Sequence, residues 1–114
     1  MQNNNSKDKG DLKRRAYFYS LDIIKYLDIL DKSTVTQTMT KQLIRSATSI
    51  GANIIEAQSG STRKDFTNFY THALKSANET KFWLGLLRDS GKAEKDKTNI
   101  KNDLWSFLML VFVN

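Results

Sequence analysis

The sequence predicts an all-α protein, an antiparallel up-down-up-down four-helix bundle. Two observations predict this fold: the 114 residues contain no proline, and apolar residues recur at spacings of three and four through almost the whole chain after residue 11. Proline is the residue that interrupts helices most strongly. The length is that of one domain, so we expect a single bundle over residues 12–114, preceded by a disordered polar tail over residues 1–11.

Four amphipathic segments divide the chain, at about residues 12–30, 35–58, 62–90 and 98–113. The first two links between them are short, and short links favour antiparallel neighbours. The residues predicted to face the core share the helical spacing and are Leu12, Ala16, Tyr19, Ile23, Tyr26, Leu30, Val35, Met39, Leu43, Ala47, Ile50, Ile54, Ala57, Phe66, Phe69, Ala73, Ala77, Leu84, Leu87, Ile100, Leu104, Phe107, Leu108 and Val111.

Polar and glycine residues mark the expected helix ends. Thr34, followed three residues later by Gln37, fits a capping box at the start of the second helix. Gly60 and Gly91 follow the second and third helices, where we expect them to adopt the left-handed conformation that ends many helices.

Two further glycines, Gly51 and Gly85, fall inside predicted helices, where each costs roughly 1 kcal/mol relative to alanine. They are either tolerated defects or positions at which another backbone approaches closely.

The composition excludes most catalytic chemistry. The chain has no cysteine, which excludes disulfides, cysteine-ligated zinc and thiol catalysis. His72 is the single histidine, so no site that needs two histidines is possible. No glycine-rich phosphate loop and no metal-binding spacing occurs. We therefore predict that the protein is not an enzyme and has no cofactor and no metal site.

No targeting or membrane segment is predicted. Residues 1–11 are polar and do not resemble a signal peptide. The longest apolar run covers residues 104–113, about half the length that spans a bilayer. We expect a cytoplasmic protein that does not contact a membrane.

Surplus apolar surface favours an oligomer. Phe82, Trp83 and Leu86 leave the end of the third helix apolar almost all round, and a helix apolar on every face must be covered on every face. The alternative is that the fourth helix covers these residues within one chain. Ser49 and Ala52 on the outer face of the second helix would also admit a close neighbour, unless that face is simply solvated.

The charge favours a polyanionic partner without identifying one. The 18 basic and 12 acidic residues give a net charge of +6, spread along the chain. A monomer with this pattern would bind nucleic acid weakly, whereas an oligomer repeats the surface. The residues predicted to contact phosphate lie on outer faces and are Arg45, Arg63, Lys64, Lys75, Lys81 and Arg88. The alternative is an ordinary solvated face.

Residues 42–56, 61–66 and 73–80 together resemble a known family pattern. It combines polar residues at fixed positions with apolar spacing, and the matching residues are Gln42, Arg45, Ser49, Ile50, Asn53, Ile54, Glu56, Phe66, Ala73, Ser76 and Glu79. The pattern resembles that of four-helix-bundle proteins encoded in 23S rRNA intervening sequences, which look like relatives of the accessory variability determinant of diversity-generating retroelements. The chain departs from it at Ser46, where alanine is usual, and after Glu56, where glycine is common.

The resemblance implies a bundle that assembles into a ring, a homo-pentamer, with no catalytic activity. The retroelement relatives bind nucleic acid and a reverse transcriptase, so both are partners by analogy. The resemblance also favours structural polar pairing, rather than binding, for Asn53, Glu56 and Glu79. Our leading hypothesis is a homo-oligomeric bundle that binds RNA or DNA, and the alternative is a protein-interaction scaffold that uses the apolar patches of the third and fourth helices.

Overall fold

The computed structural model describes residues 12–30, 32–60, 62–92 and 104. These residues form three α-helices and contain no strand, so the predicted all-α class is confirmed for the part of the chain that is described. Leu104 is helical as well. The predicted tail and, apart from Leu104, the predicted fourth helix lie outside the described residues.

The three helices match the first three predicted segments to within two residues at every end. They are α1 (Leu12–Asp28), α2 (Thr34–Ser59) and α3 (Arg63–Asp89). None of these helices has the combination of length and hydrophobicity needed to cross a membrane.

Helix α2 lies at the centre of the described fold. It packs along α1 and along α3, whereas no Cα atom of α1 lies within 8 Å of one of α3. The short link at Gly60 brings α3 back along α2, so that Ser46 and Thr80 face each other across the two helices. The helices α2 and α3 therefore form an antiparallel hairpin, with α1 on the other side of α2.

One hydrophobic core joins the three helices and Leu104. Most of the predicted inward residues are buried in it, but Val35 and Phe66 are exposed, so those two predictions are wrong. Thr36 and Thr80 are fully buried instead. The core residues are Ala16, Tyr19, Ile23, Tyr26, Leu30, Met39, Leu43, Ala47, Ile50, Ile54, Ala73, Ala77, Leu84, Leu87 and Leu104.

The start of α2 is capped one residue earlier than predicted. Ser33 is the N-cap, and its hydroxyl accepts a hydrogen bond from the backbone N–H of Thr36 at 3.2 Å. The same hydroxyl lies 2.9 Å from that of Thr36, which explains why a threonine is buried here. Gln37 donates to the Lys32 carbonyl at 2.8 Å, so the predicted capping box at Thr34 is wrong.

The glycines take different roles. Gly91 has a φ of 77°, the predicted left-handed conformation. Gly60 has a φ of −64° and a ψ of 144°, which is extended, so that prediction is wrong. A Cβ at Gly60 would lie 3.1 Å from the Cβ of Asp65, so the tight link between α2 and α3 explains this glycine.

Gly51 marks a close approach of two helices. It is buried against Ala16 of α1, and a Cβ placed on it would lie 3.5 Å from the Cβ of Ala16. The backbone of Ala16 lies 3.6 Å from that Cβ position, an ordinary van der Waals contact that an alanine would also accept, so the choice between the two interpretations of Gly51 stays open.

Leu104 is held against α1. The buried Tyr19 hydroxyl donates a hydrogen bond to the Leu104 carbonyl at 3.1 Å. Burial, with a smaller contribution from the negative charge of Asp22, raises the pKa of Tyr19 far above its ordinary value. The phenol therefore stays protonated and keeps donating, and the Leu104 side chain is buried in the same core.

Candidate functional site

The seam between α2 and α3 carries a polar network, here called the seam network, of Gln42, Arg45, Glu79 and Trp83. The Arg45 guanidinium pairs with the Glu79 carboxylate across the two helices. Arg45 also donates from Nε and Nη2 to the Gln42 side-chain oxygen at 3.1 and 3.0 Å. The Trp83 indole N–H donates to the same Glu79 oxygen at 3.0 Å. Glu79 therefore joins a cation on α2 to an aromatic ring on α3.

A pair of buried hydroxyls lies beside this network. The Thr80 hydroxyl is 3.0 Å from Oγ of Ser46 and 2.8 Å from the Ser76 carbonyl, while Ser46 donates to the Leu43 carbonyl at 3.2 Å. Buried polar groups need hydrogen-bond partners, and these partners are supplied within the two helices. The contact gives a physical reason for Ser46, one of the two positions at which the chain departs from the family pattern.

Five of the six residues predicted to contact phosphate lie on α3, in two rows. At about 100° per residue, Lys64 and Lys75 fall within about 20° of each other around the helix. Arg63, Lys81 and Arg88 form a second row roughly 100° away. All are exposed except the half-buried Lys81.

The sixth predicted residue, Arg45, lies apart from both rows, on the α2 side of the seam. Its ion pair with Glu79 offsets its charge, as the pair with Asp89 offsets that of Arg88 on α3, so each of these two arginines offers less attraction to a phosphate than a cation without a carboxylate partner would. The structure thus brings five of the six predicted residues onto one helix but does not bring all six together.

The residues of α3 predicted to form a subunit interface differ in how exposed they are. Phe82 and Leu86 are 57% and 39% exposed, whereas Trp83 is half-buried and packs against the core. The Phe82 and Trp83 rings meet edge to face with centroids 4.9 Å apart. Trp83 therefore belongs to the seam network and the core, and Phe82 to the open surface.

On α2, the other residues predicted to form an interface or a structural polar pair make only local contacts within the described part of the chain. The Asn53 amide donates to the Ser49 carbonyl at 2.8 Å and approaches the Ser49 hydroxyl at 3.4 Å. Ala52 and Glu56 are exposed.

An open groove of about 520 Å³ runs along the outer side of α3 and is called the α3 groove below. Its described lining residues are Asn78, Lys81, Phe82, Gly85, Leu86 and Asp89. Apolar surface lies in the middle, a lysine near one end and an aspartate near the other. Asp89 accepts hydrogen bonds from the Arg88 guanidinium at 2.8 and 3.1 Å, which hold the pKa of Asp89 below its ordinary value.

Sequence reasoning missed several of these residues. The Arg45–Glu79 pair and the Ser46–Thr80 pair each join residues 34 positions apart, which no local pattern indicates. The stacked rings of Phe66 and Tyr70, 5.6 Å apart, follow from a spacing of four. The shared face of Lys81, Gly85 and Asp89 could also have been predicted from the sequence, because residues four apart lie on one face of a helix.

The described residues hold no group of three or more histidine, aspartate or glutamate side chains able to bind a metal ion. His72 lies exposed on α3. The absence of a metal site, a cofactor and catalysis stays a prediction.

A long antiparallel hairpin, a third helix against it and charged and apolar surfaces on the outside define a small helical-bundle protein. The chain belongs to the 23S rRNA-intervening sequence protein family, whose model matches residues 9–107. It is also similar to a crystal structure from Bacteroides thetaiotaomicron, described as a protein of unknown function from the S23 ribosomal protein family. The identity is 31%, the TM-score 0.67, and the match covers 92% of this chain and 97% of that one. No significant match was found among curated proteins.

Proposed function

We propose that the protein is a non-enzymatic homo-oligomer that binds RNA or DNA through the cations of α3. The two rows of basic side chains on this one helix, all exposed except the half-buried Lys81, are the observation that carries the proposal, in a chain of net charge +6. Phosphate binding releases counterions for each cation that reaches the backbone, so cations gathered on one surface act together.

The α3 row of Lys64 and Lys75 fits a strand laid along the helix. Eleven residues of helix separate the two lysines by about 16 Å. Asn68 and Thr71 lie between them in sequence and are exposed. Such polar side chains commonly donate to phosphate oxygens and set the register of a nucleic acid without reading its sequence.

We also propose that residues around Leu104 complete a four-helix bundle. In an antiparallel bundle the first and third helices lie diagonally, which agrees with α1 and α3 both packing on α2 without meeting. The helical Leu104, buried in the core and bonded to Tyr19, supports this completion.

Assembly strengthens the binding proposal. A ring of five, implied by the family resemblance, would present five copies of α3 to one nucleic acid, and linked sites gain affinity from their effective concentration. A reverse transcriptase partner rests on the retroelement analogy and stays a prediction.

Binding is tested by fluorescence anisotropy with a labelled single-stranded RNA and the matching duplex at several salt concentrations. Phosphate contacts from the four exposed cations of α3, which are Arg63, Lys64, Lys75 and Arg88, give a slope of about −2.8 in log affinity against log salt on a single strand. Kd then rises roughly 50-fold between 50 and 200 mM salt. An affinity that does not change with salt, or no binding at 50 mM salt, would contradict the proposal.

The exposed Phe82 favours a second candidate, a protein-interaction scaffold. Apolar side chains that adjoin one another on a surface mark docking sites more often than scattered ones do. Replacing Phe82 with glutamate separates the candidates, because it removes apolar contact while leaving every cation in place. If the variant keeps its affinity for nucleic acid but loses a protein partner, that combination of results favours the scaffold role for the groove.

A further inference from the structure

The rings of Phe66 and Tyr70, here called the α3 stack, lie nearly parallel on the first two turns of α3. Their planes differ by 8° and their centroids are 5.6 Å apart. Phe66 is 45% exposed, whereas Tyr70 is half-buried. So much exposed aromatic surface contributes little to the core and is available to another molecule.

Its parallel geometry distinguishes the α3 stack from the other aromatic pairs in the described part of the chain. On α1, the rings of Tyr17 and Phe18 meet at 83°, and the Arg14 guanidinium lies over the Phe18 ring, 5.6 Å from its centroid. The rings of Phe82 and Trp83 meet at 73°. An edge-to-face contact ends a stack, whereas two parallel rings can be extended by a further parallel layer.

The surface of Phe66 that remains open faces the start of α3. Tyr70 lies one turn after Phe66, and helical side chains lean toward the N-terminus. Tyr70 therefore covers the face of Phe66 that is turned toward the C-terminal end of the helix. The exposed surface of Phe66 includes the opposite face and the ring edges.

The exposed cation Arg63 lies on the same side of α3 as the two rings. At about 100° per residue, Arg63 falls within about 20° of Tyr70 and within about 60° of Phe66 around the helix. Asp65, the acidic residue of the first turn, falls about 160° from Arg63. The rings are thus accompanied by positive charge, with the carboxylate on the far side of the helix.

We propose that the α3 stack binds an unpaired base of a single-stranded nucleic acid, which forms a third layer on Phe66 while Arg63 holds an adjoining phosphate. The inference rests on the proposed function, because it names the form of nucleic acid that the cations of α3 bind. Proteins that bind single strands combine cations along the backbone with aromatic rings on which bases stack.

The combination of a ring and a cation selects this occupant. A base is flat and aromatic and carries its phosphate close by, so one nucleotide satisfies both Phe66 and Arg63. In a duplex the bases already stack on one another and their faces are not available to a protein ring. Stacking is tolerant of base identity, so we expect a preference for single strands with little preference for sequence.

Fluorescence anisotropy at 50 mM salt tests the proposal with a labelled single-stranded RNA, the DNA strand of the same sequence and the RNA duplex. Phe66→Ala is expected to weaken binding of either single strand at least about fivefold, since a base stacked on a protein ring contributes this much or more. Duplex binding stays unchanged, because no base stacks on the ring there. The slope of log affinity against log salt also stays unchanged, because the variant removes no charge.

Two further variants make the result specific to the ring. Phe66→Tyr keeps an aromatic face and is expected to bind single strands within about twofold of the natural protein. Phe82→Ala is the matched control, because Phe82 is also on α3 and is more exposed, at 57%. It leaves single-strand binding unchanged. Circular dichroism confirms that each variant is helical.

A fluorescent base gives an independent readout on the natural protein. A single 2-aminopurine within a run of uridines loses fluorescence when it stacks on an aromatic ring. We expect the natural protein and Phe66→Tyr to quench it, and Phe66→Ala, at a concentration that saturates the RNA, to leave it bright.

Several results would overturn the proposal. They are equal single-strand affinity for Phe66→Ala and the natural protein, equal losses for Phe66→Ala and Phe82→Ala, an equal loss on the duplex, and no quenching of 2-aminopurine. If the natural protein still binds with the expected salt dependence, these results refute the stacking role alone and the proposed function stands. No binding of any nucleic acid at 50 mM salt would refute both.

Discussion

A variant in which glutamine replaces both Lys64 and Lys75 is expected to bind single-stranded RNA with about half the salt dependence of the natural protein. Each phosphate contact contributes about 0.7 to the slope of log affinity against log salt on a single strand. Losing two of four contacts lowers the slope from about 2.8 to about 1.4. A fourfold rise in salt then weakens binding by roughly sevenfold instead of roughly 50-fold.

The matched control for this variant is K25Q/K41Q. Lys25 lies on α1 and Lys41 on α2, and both are exposed. The two variants lose the same net charge, so a general electrostatic effect would change both slopes equally. We expect the K25Q/K41Q slope to match the natural protein within error. Equal slopes for the two variants would show that the α3 row is not the contact surface.

Replacing Leu43 with alanine is expected to lower the free energy of unfolding by about 2–5 kcal/mol. Leu43 is completely buried in the core that α2 shares with both neighbouring helices. The loss combines the transfer energy of the removed methyl groups with the cost of the cavity that they leave. A domain of this size has only about 5–15 kcal/mol of stability in total, so the effect is large.

Ile44→Ala is the control, because Ile44 is the next residue on α2 and is 36% exposed. We expect it to cost less than about 1 kcal/mol, since an exposed position leaves no buried cavity. Chemical denaturation with urea, followed by circular dichroism, measures both values. Equal losses at the two positions would contradict the placement of the core face of α2.

The helices and most of the core could be predicted because both depend on local pattern. Apolar residues three and four apart fix the inner face of a helix, and this placed Ile23, Leu43 and Leu84 correctly. The errors arose where an apolar residue is exposed, as at Val35 and Phe66, or a polar residue is buried, as at Thr80. Thr80 is buried because its hydroxyl bonds to the Ser76 carbonyl one turn back, a contact that removes most of the cost of burying it.

The candidate surfaces could be predicted only in part. Spacing alone placed Lys64 and Lys75 on one face and left Phe82 on the outside. It could not show that Arg45 pairs with Glu79 or that Trp83 turns toward that carboxylate, because those partners meet only when α3 folds back along α2. The lack of room for a side chain at Gly60 likewise depends on Asp65 in the first turn of α3, which the usual glycine rule for helix ends does not consider.

Lysine acetylation footprinting tests most directly whether α3 contacts nucleic acid. The protein is treated with an acetylating reagent at low salt, with and without RNA, and the modification of each lysine is measured by mass spectrometry. The proposal predicts that RNA protects Lys64 and Lys75 several-fold while the reactivity of Lys25 and Lys41 stays unchanged. Protection of Lys13 on α1 without protection of Lys64 and Lys75, or uniform reactivity throughout, would contradict it.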